Sequence, residues 1–314
     1  MSQAALCLAV MADIHGHLPA LDAALADAAA FSPTEILVAG DLATGGPFPV
    51  ETLRRLREAG CRVIRGNAED YLAPANGAEP PPRGRKQWAV ARWAYDQLSA
   101  GDLAYLAGLP AQMVISLPGA APIRMVHGSP RSPNEGLVPD ADPALMRLYQ
   151  HQGLLHAGNS QRPLARTLAE IQEDVLICAH THVPWLQEED GRQCVNPGAL
   201  GGGLNRDPFA WYALLTWDGR RWRVAHRAVP YDQATLRAAF VERGLLSAGP
   251  LARAFLIASE TGENVGWRLV CHATALARAA GLNAADAIPD ALWDHAAETF
   301  DWAAAAAGAL PIAP

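Results

Sequence analysis

The sequence predicts an α/β chain with two β-sheets and a helical C-terminal appendage. Three observations predict it. Short apolar runs alternate with amphipathic segments in the first part, the order expected of parallel strands with helical crossovers. Closely spaced short strands and tight turns follow later. From Tyr231 onward the chain is Ala-rich with helical spacing.

ALCLAVM (5–11) reads as a strand. The wider AALCLAVMA resembles the apolar core of a signal peptide, but no Lys or Arg precedes it and Asp13 follows at once, so a buried first strand is the reading. LPALDAALADAAAF (18–31) has helical spacing. TEILVAG (34–40) is a strand, PVETLRRLREAG (49–60) a helix closed by Gly60, and CRVIRG (61–66) a strand. Residues 73–85, rich in Pro and Gly, form a loop. Residues 86–109 read as one or two helices, with Trp88, Trp93 and Tyr95 as packing residues. AQMVISL and IRMVHG are strands, and helical segments cover roughly 142–172. DVLICAH, WLQEE, RQCVN, FAWYALLTW and RWRVAHRAV are strands, the last two joined at a WDGR turn. They imply a second, mostly antiparallel sheet. The expected division is 1–230 and 231–314.

The chain has 314 residues, enough for one large domain or two ordinary ones. With a net charge of −7 and no basic run, long nucleic acid and anionic membranes are not expected partners. An anionic substrate needs local positive charge, which a metal ion can supply. No stretch of ~18 apolar residues is free of charge and turn residues, so no membrane span is expected. Five scattered cysteines without a C-x-x-C pair point to a reducing, cytoplasmic location.

The chemistry gathers at strand ends. Asp13 and His15 follow the first strand, Asp41 the second and Asn67 the third; His127 ends a later strand, and His180 and His182 another. The C-terminal edge of an open α/β sheet is where ligands bind. Two carboxylates, one carboxamide and four imidazoles suit divalent transition metals. Seven donors exceed one tetrahedral site and fit two ions sharing a carboxylate, roughly 3.5–4 Å apart. Such a pair clamps phosphate-ester oxygens and activates a water as hydroxide.

The order D-x-H, G-D, G-N, H-G, H-x-H resembles the calcineurin-like metallophosphoesterases, and DIHGHLPAL, GDLATGGPFP, RGNAED, VHGSP, AHTHVP and VNPGALG resemble their small bacterial and archaeal phosphodiesterase branch. The resemblance spans roughly residues 5–230. It implies two mixed β-sheets packed face to face as a sandwich and flanked by helices. It also implies one metal on Asp13, His15, Asp41 and His182 and another on Asp41, Asn67, His127 and His180, with Asp41 bridging. The implied activity is hydrolysis of a small phosphodiester or nucleotide by metal-activated hydroxide, the metals being Mn, Fe, Ni, Co or Zn. Asp41 and Asn67 are then catalytic, and Asn67 also binds substrate.

Three departures stand out. Much of the superfamily has a His after the Asn, assigned as leaving-group acid; here it is Ala68. His17 stands where the branch often has Asn; it reads either as a phosphate contact or proton donor, or as a polar residue at a helix N-terminus. AHTH replaces G-H-T-H, which is tolerable unless that backbone needs φ > 0.

Arg131 reads either as a phosphate contact or as an exposed loop residue. Asn196 reads as a turn beside the site, and GGGLNRDP as its rim. A non-catalytic metal-binding scaffold is the alternative function. The apolar stripes of the tail require burial, against the catalytic part or against a second copy in a homo-oligomer.

Overall fold

The computed structural model describes residues 6–73, 79–156, 158–160, 162–283 and 287–310. Parts of the expected N-terminal strand, the 73–85 loop, the 142–172 segment and the chain end lie outside these residues.

The first sheet contains β1 (Cys7–Met11), β2 (Glu35–Val38) and β3 (Arg62–Val63), all parallel. Helices α1 (Leu18–Ala29) and α2 (Pro49–Glu58) are the crossovers, and each has a proline in its first turn, where no N–H partner is lost. Then come α3 (Asn67–Leu72), α4 (Ala89–Gln97) and α5 (Ala100–Ala107). The second sheet begins with β4 (Gln112–Ile115) and β5 (Ile123–Val126). After α6 (Pro143–His151) and α7 (Leu164–Leu168) it continues with β6 (Val175–Ile177), β7 (Trp185–Glu189) and β8 (Arg192–Asn196). The hairpin β9 (Ala210–Trp217) and β10 (Trp222–Val229) precedes α8 (Gln233–Glu242), α9 (Pro250–Thr261), α10 (Val265–Ala279), α11 (Asp290–Thr299) and α12 (Trp302–Ala306).

The strand orders are β10-β9-β1-β2-β3 and β4-β5-β6-β8-β7. This corrects the expected second sheet in two respects. The β9–β10 hairpin belongs to the first sheet, because β9 pairs antiparallel with β1. The second sheet is mixed: β5, β6 and β8 run parallel, and only β4 and β7 are antiparallel to their neighbours. Local pattern identifies a hairpin but not which sheet edge it joins.

Alternation along β1 explains the layers. Leu8, Val10 and Ala12 meet Ile123, Met125, Ile177 and Val195 of the other sheet, forming the sandwich core. Cys7, Ala9 and Met11 face Leu21, Leu53 and Leu106 of the outer helices. A third layer packs Tyr149, Leu164 and Leu168 against Cys178 and Trp185. All five cysteines are free thiols.

The tail packs on its own chain. Leu236, Phe240, Leu256, Leu269 and Trp293 form one cluster with Val90 of α4, and Phe48 and Trp93 pack against it. Much of the apolar face of α8–α10 is thereby covered, while Val241 of α8 stays exposed and Phe255 and Val270 also line a cavity. Among the described residues no helix is long and apolar enough to cross a membrane.

Candidate metal centre

The two sheets place all seven donors at strand ends on one rim, four after β1, β2 and β3 and three after β5 and β6. Backbone bonds lace the loops together. Asp13 N donates to Gly40 O (3.0 Å), Ile14 N and His15 N both donate to Asp41 O (2.8 and 2.9 Å), and Gly201 N donates to Asp13 O (2.9 Å). Five of the seven donors are left-handed: Asp13, His15, Asp41, His180 and His182 have φ between 49° and 69°. Non-glycine residues adopt that region at a cost, so the surrounding fold must hold them there. Ala179 is not among the positive-φ residues, which removes the objection to AHTH.

The donors fall into two groups, Asp13–His15–His182 and Asp41–His127–His180, each with its ligand atoms within 4.8 Å of one another. Asp41 touches both: its Oδ2 lies 3.5 Å from His15 Nε2 and its Oδ1 3.4 Å from His127 Nε2. Asn67 Oδ1 lies 2.9 Å from His127 Nε2. The seven expected ligands therefore converge.

Do they fit a cation? The tautomers give the answer. The Nδ1 atoms of His15, His127 and His182 lie 2.7, 2.7 and 2.8 Å from the carbonyls of Thr44, Ala39 and Gly202. A carbonyl requires an N–H, so each Nε2 presents a lone pair. Yet His15 Nε2 and His182 Nε2 are 3.1 Å apart. Two lone pairs at that distance repel unless positive charge lies beside them. Asp13 Oδ1 is also buried with no hydrogen-bond partner, which is costly without a counter-charge. Neutral imidazoles and carboxylates are the donor types that divalent transition metals take. The residues fit divalent transition-metal ions, and the carbonyl-bound Nδ1 atoms supply the outer support metal-binding histidines usually have.

The sequence reading missed Glu69. It is fully buried, and its carboxylate accepts from the amides of Asp41 (2.9 Å), Leu42 (2.7 Å) and Gly66 (2.8 Å). It thus fixes the backbone on which Asp41 stands. Its only signal was its place three residues after Gly66, where a helix N-terminus favours an acid reaching back to the backbone. Gly66 is required by closeness: a Cβ there would collide with Asp41 Oδ1 and lie 2.6 Å from Asp41 N. Asn196 does brace the neighbouring loop, donating to Ala179 O (3.0 Å) and Thr181 Oγ1 (3.1 Å).

His17 lines the same cavity, but both ring nitrogens are engaged: Nδ1 with His15 O at 2.9 Å, Nε2 with Ser259 Oγ of α9 at 2.7 Å. Burial pulls its pKa down to about 4, so the ring is neutral near pH 7. The geometry makes it a strut between the metal loop and the tail rather than a proton donor. Arg131 is committed elsewhere. It forms a two-bond pair with Glu135 (2.8 Å each) and a further pair with Glu170, and it is not among the cavity-lining residues. The geometry favours the exposed-loop reading of Arg131 over the phosphate contact. Ala68 is buried, its amide donating to Asp41 Oδ1 at 2.8 Å, and its methyl group offers no proton.

Burial also sets the charges. The pKa of His127 falls to about 4 and that of His180 to about 3, both chiefly through desolvation, and His15 and His182 are lowered for the same first reason. Asp13 and Asp41 are raised by burial, and Glu69 is pushed up to about 7 by burial and then by the charge of Asp41. Below pH 6.5, the ordinary histidine value, the unfolded chain takes up imidazole protons that the folded chain refuses. Stability from the histidines therefore rises with pH up to that point. The carboxyls act oppositely: the folded chain holds their protons longer, so their ionisation subtracts stability as pH rises. The histidine effect fades over about one unit above pH 6.5, beyond which only the second remains. Chelator-treated protein should gain melting temperature as pH rises towards 6.5 and lose it above about pH 7.5, while added Mn²⁺ should raise it by an increment that grows with pH. A metal-induced increment independent of pH would contradict this charge balance.

A two-sheet α/β sandwich with paired donor groups on its strand-end rim defines a class of metal-binding phosphoesterase scaffold. Residues 6–220 match the calcineurin-like phosphoesterase superfamily domain, and the chain belongs to that superfamily. An uncharacterized protein, MJ0912, of Methanocaldococcus jannaschii is 27% identical over 228 residues, 72% of this chain and 88% of the relative. The metallophosphoesterase from Sphaerobacter thermophilus superposes with a TM-score of 0.58 at 27% identity, covering 76% of this chain and 95% of that one. The hypothetical protein PH1004 from Pyrococcus horikoshii OT3 gives a TM-score of 0.63 at 20% identity, covering 82% and 98%, a likeness of fold.

Proposed function

We propose that the protein is a phosphodiesterase that hydrolyses small phosphate esters with two divalent metal ions. The observation that carries this reading is the position of Asp41, in reach of one imidazole from each donor group. Asp13, His15, Asp41 and His182 would hold one ion, and Asp41, Asn67, His127 and His180 the other. When bound, the ions supply positive charge for the phosphate oxygens and acidify a water that can attack phosphorus. The chain's own part is orientation. Carbonyls fix the histidine tautomers, and Glu69 fixes the Asp41 backbone. A complete donor set favours an enzyme over a metal-binding scaffold.

The substrate is small. Helices α9 and α10 cover the rim and leave a cavity of about 440 Å³, the scale of a small-molecule site rather than a groove for a protein or a nucleic-acid strand. With Ala68 in place of a proton donor, the rate should depend steeply on leaving-group acidity. The test is turnover of bis-p-nitrophenyl phosphate by chelator-treated protein, before and after adding Mn²⁺, Co²⁺, Ni²⁺, Fe²⁺ or Zn²⁺. Turnover that appears with metal and falls sharply for alkyl leaving groups is expected. No turnover with any of these metals would overturn the assignment.

A further inference from the structure

The cavity has two unlike halves. Its floor is polar and carries His15, Asp41, Asn67, His180 and His182. Another part of its lining comes from the tail, which lies outside the family match: Phe255 and Ala258 of α9, and Trp267 and Val270 of α10. A helix that served only to cover the domain would turn its apolar side chains into the protein core. Helix α9 does so with Ala252 and Leu256, yet Phe255 and Ala258 line the cavity as well. The glycine at 266 serves this wall. A Cβ there would lie 3.1 Å from Phe255 Cε1, so its absence lets the ring lie against α10. Trp267 stacks on His156 with ring centres 5.0 Å apart and planes 29° from parallel. A ready-made flat aromatic surface thus lines the same cavity as the metal-ligand groups.

Charge narrows the ligand further. Among the described residues lining the cavity there is no Lys and no Arg. The ions can neutralise one phosphoryl group, and nothing in the remaining wall would neutralise a second. The rest of the ligand must therefore be uncharged and mostly apolar.

We propose, building on the phosphodiesterase reading, that the Phe255–Trp267 wall is a subsite for an uncharged aromatic group, so that the substrate is an ester with a single phosphoryl group and a flat ring system. Aromatic rings gain from stacking as well as from burial, which makes this wall selective for rings over small alkyl groups.

Phosphonates test the subsite without turnover, because their carbon–phosphorus bond is not an ester. Binding of methylphosphonate, phenylphosphonate and 1-naphthylphosphonate to the Mn²⁺-loaded full chain would be measured by calorimetry, and the same compounds as inhibitors of bis-p-nitrophenyl phosphate hydrolysis. The aryl compounds should bind at least ~10-fold more tightly than methylphosphonate, a factor equal to about 1.4 kcal/mol. Trp267→Ala should bring the ratio to within about twofold. Val270→Trp, which fills the subsite instead of emptying it, should lower the ratio too. Equal binding of methyl and aryl compounds by an active wild-type enzyme would overturn the subsite and leave the phosphodiesterase reading standing. A strong aryl preference in a protein that cleaves no ester would support the subsite and overturn that reading.

Discussion

Asp41→Asn should lower metal-dependent diester hydrolysis by more than ~100-fold, beyond the usual cost of losing an outer-shell partner of a metal ligand. The substitution removes the carboxylate whose two oxygens face an imidazole of each donor group, and with it charge that would balance the proposed cations. The fold should survive. Asp41 N donates to Glu69, Asp41 O accepts from Ile14 N and His15 N, and an amide oxygen can still accept from Ala68 N. The substitution also removes a charge that raises the pKa of both Asp13 and Glu69. Chelator-treated Asp41→Asn protein should therefore melt higher than chelator-treated wild type, although it binds less metal and turns over less substrate. Kinetics, metal analysis and thermal unfolding on the same preparations check all three. A variant that is inactive because it is unfolded would instead melt lower.

Gln152→Ala should be among the most destabilising single substitutions outside the apolar core, at about 3 kcal/mol. Gln152 follows α6 and is fully buried. Its amide nitrogen donates to Leu204 O (2.9 Å) and Gly262 O (2.8 Å), and its Oε1 accepts from Asn264 N (2.9 Å). One side chain thus joins the second-sheet side of the domain, the cavity rim and the α9–α10 turn. Gly262 O keeps its bond from Arg206 N, but truncation strands Leu204 O and Asn264 N, and each unsatisfied group costs about 1–3 kcal/mol. Gln233 is a useful contrast. It donates to Pro208 O and Ser259 O from a half-buried position, and its Oε1 is buried without a partner, so Gln233→Ala removes that unsatisfied atom along with the two bonds and should cost about 1 kcal/mol or less. Urea denaturation of the two variants compares them directly. Similar losses in both would mean that the α9–α10 turn is not held through Gln152.

The legible parts of this protein are those written locally. β1 could be read because an apolar run of nine residues, 4–12, ends abruptly at Asp13, and the same contrast marks Asp41, His127 and His180. The helices of the tail were legible from their spacing. What they face was not. The pattern that puts Leu256 in a core puts Phe255 against a cavity, and only the docking angle separates the two. The β9–β10 hairpin was legible as a hairpin, but its place beside β1 depends on which edge is open after the other strands have paired. Glu69 looked like an ordinary acid in a first helical turn, because its three amide partners come from two separate loops. His17 and Arg131 illustrate the converse. Each has the chemistry for phosphate, and in each case a partner distant in sequence, Ser259 or Glu170, occupies the side chain.

The central claim is that one chain binds two ions joined through Asp41. Crystals soaked in Mn²⁺, with data collected at the manganese edge, test it most directly. Two anomalous peaks per chain are expected, roughly 3.5–4 Å apart, with Asp41 between them, one peak beside Asp13, His15 and His182 and the other beside Asn67, His127 and His180. A single peak, or two peaks that Asp41 does not touch, would contradict it.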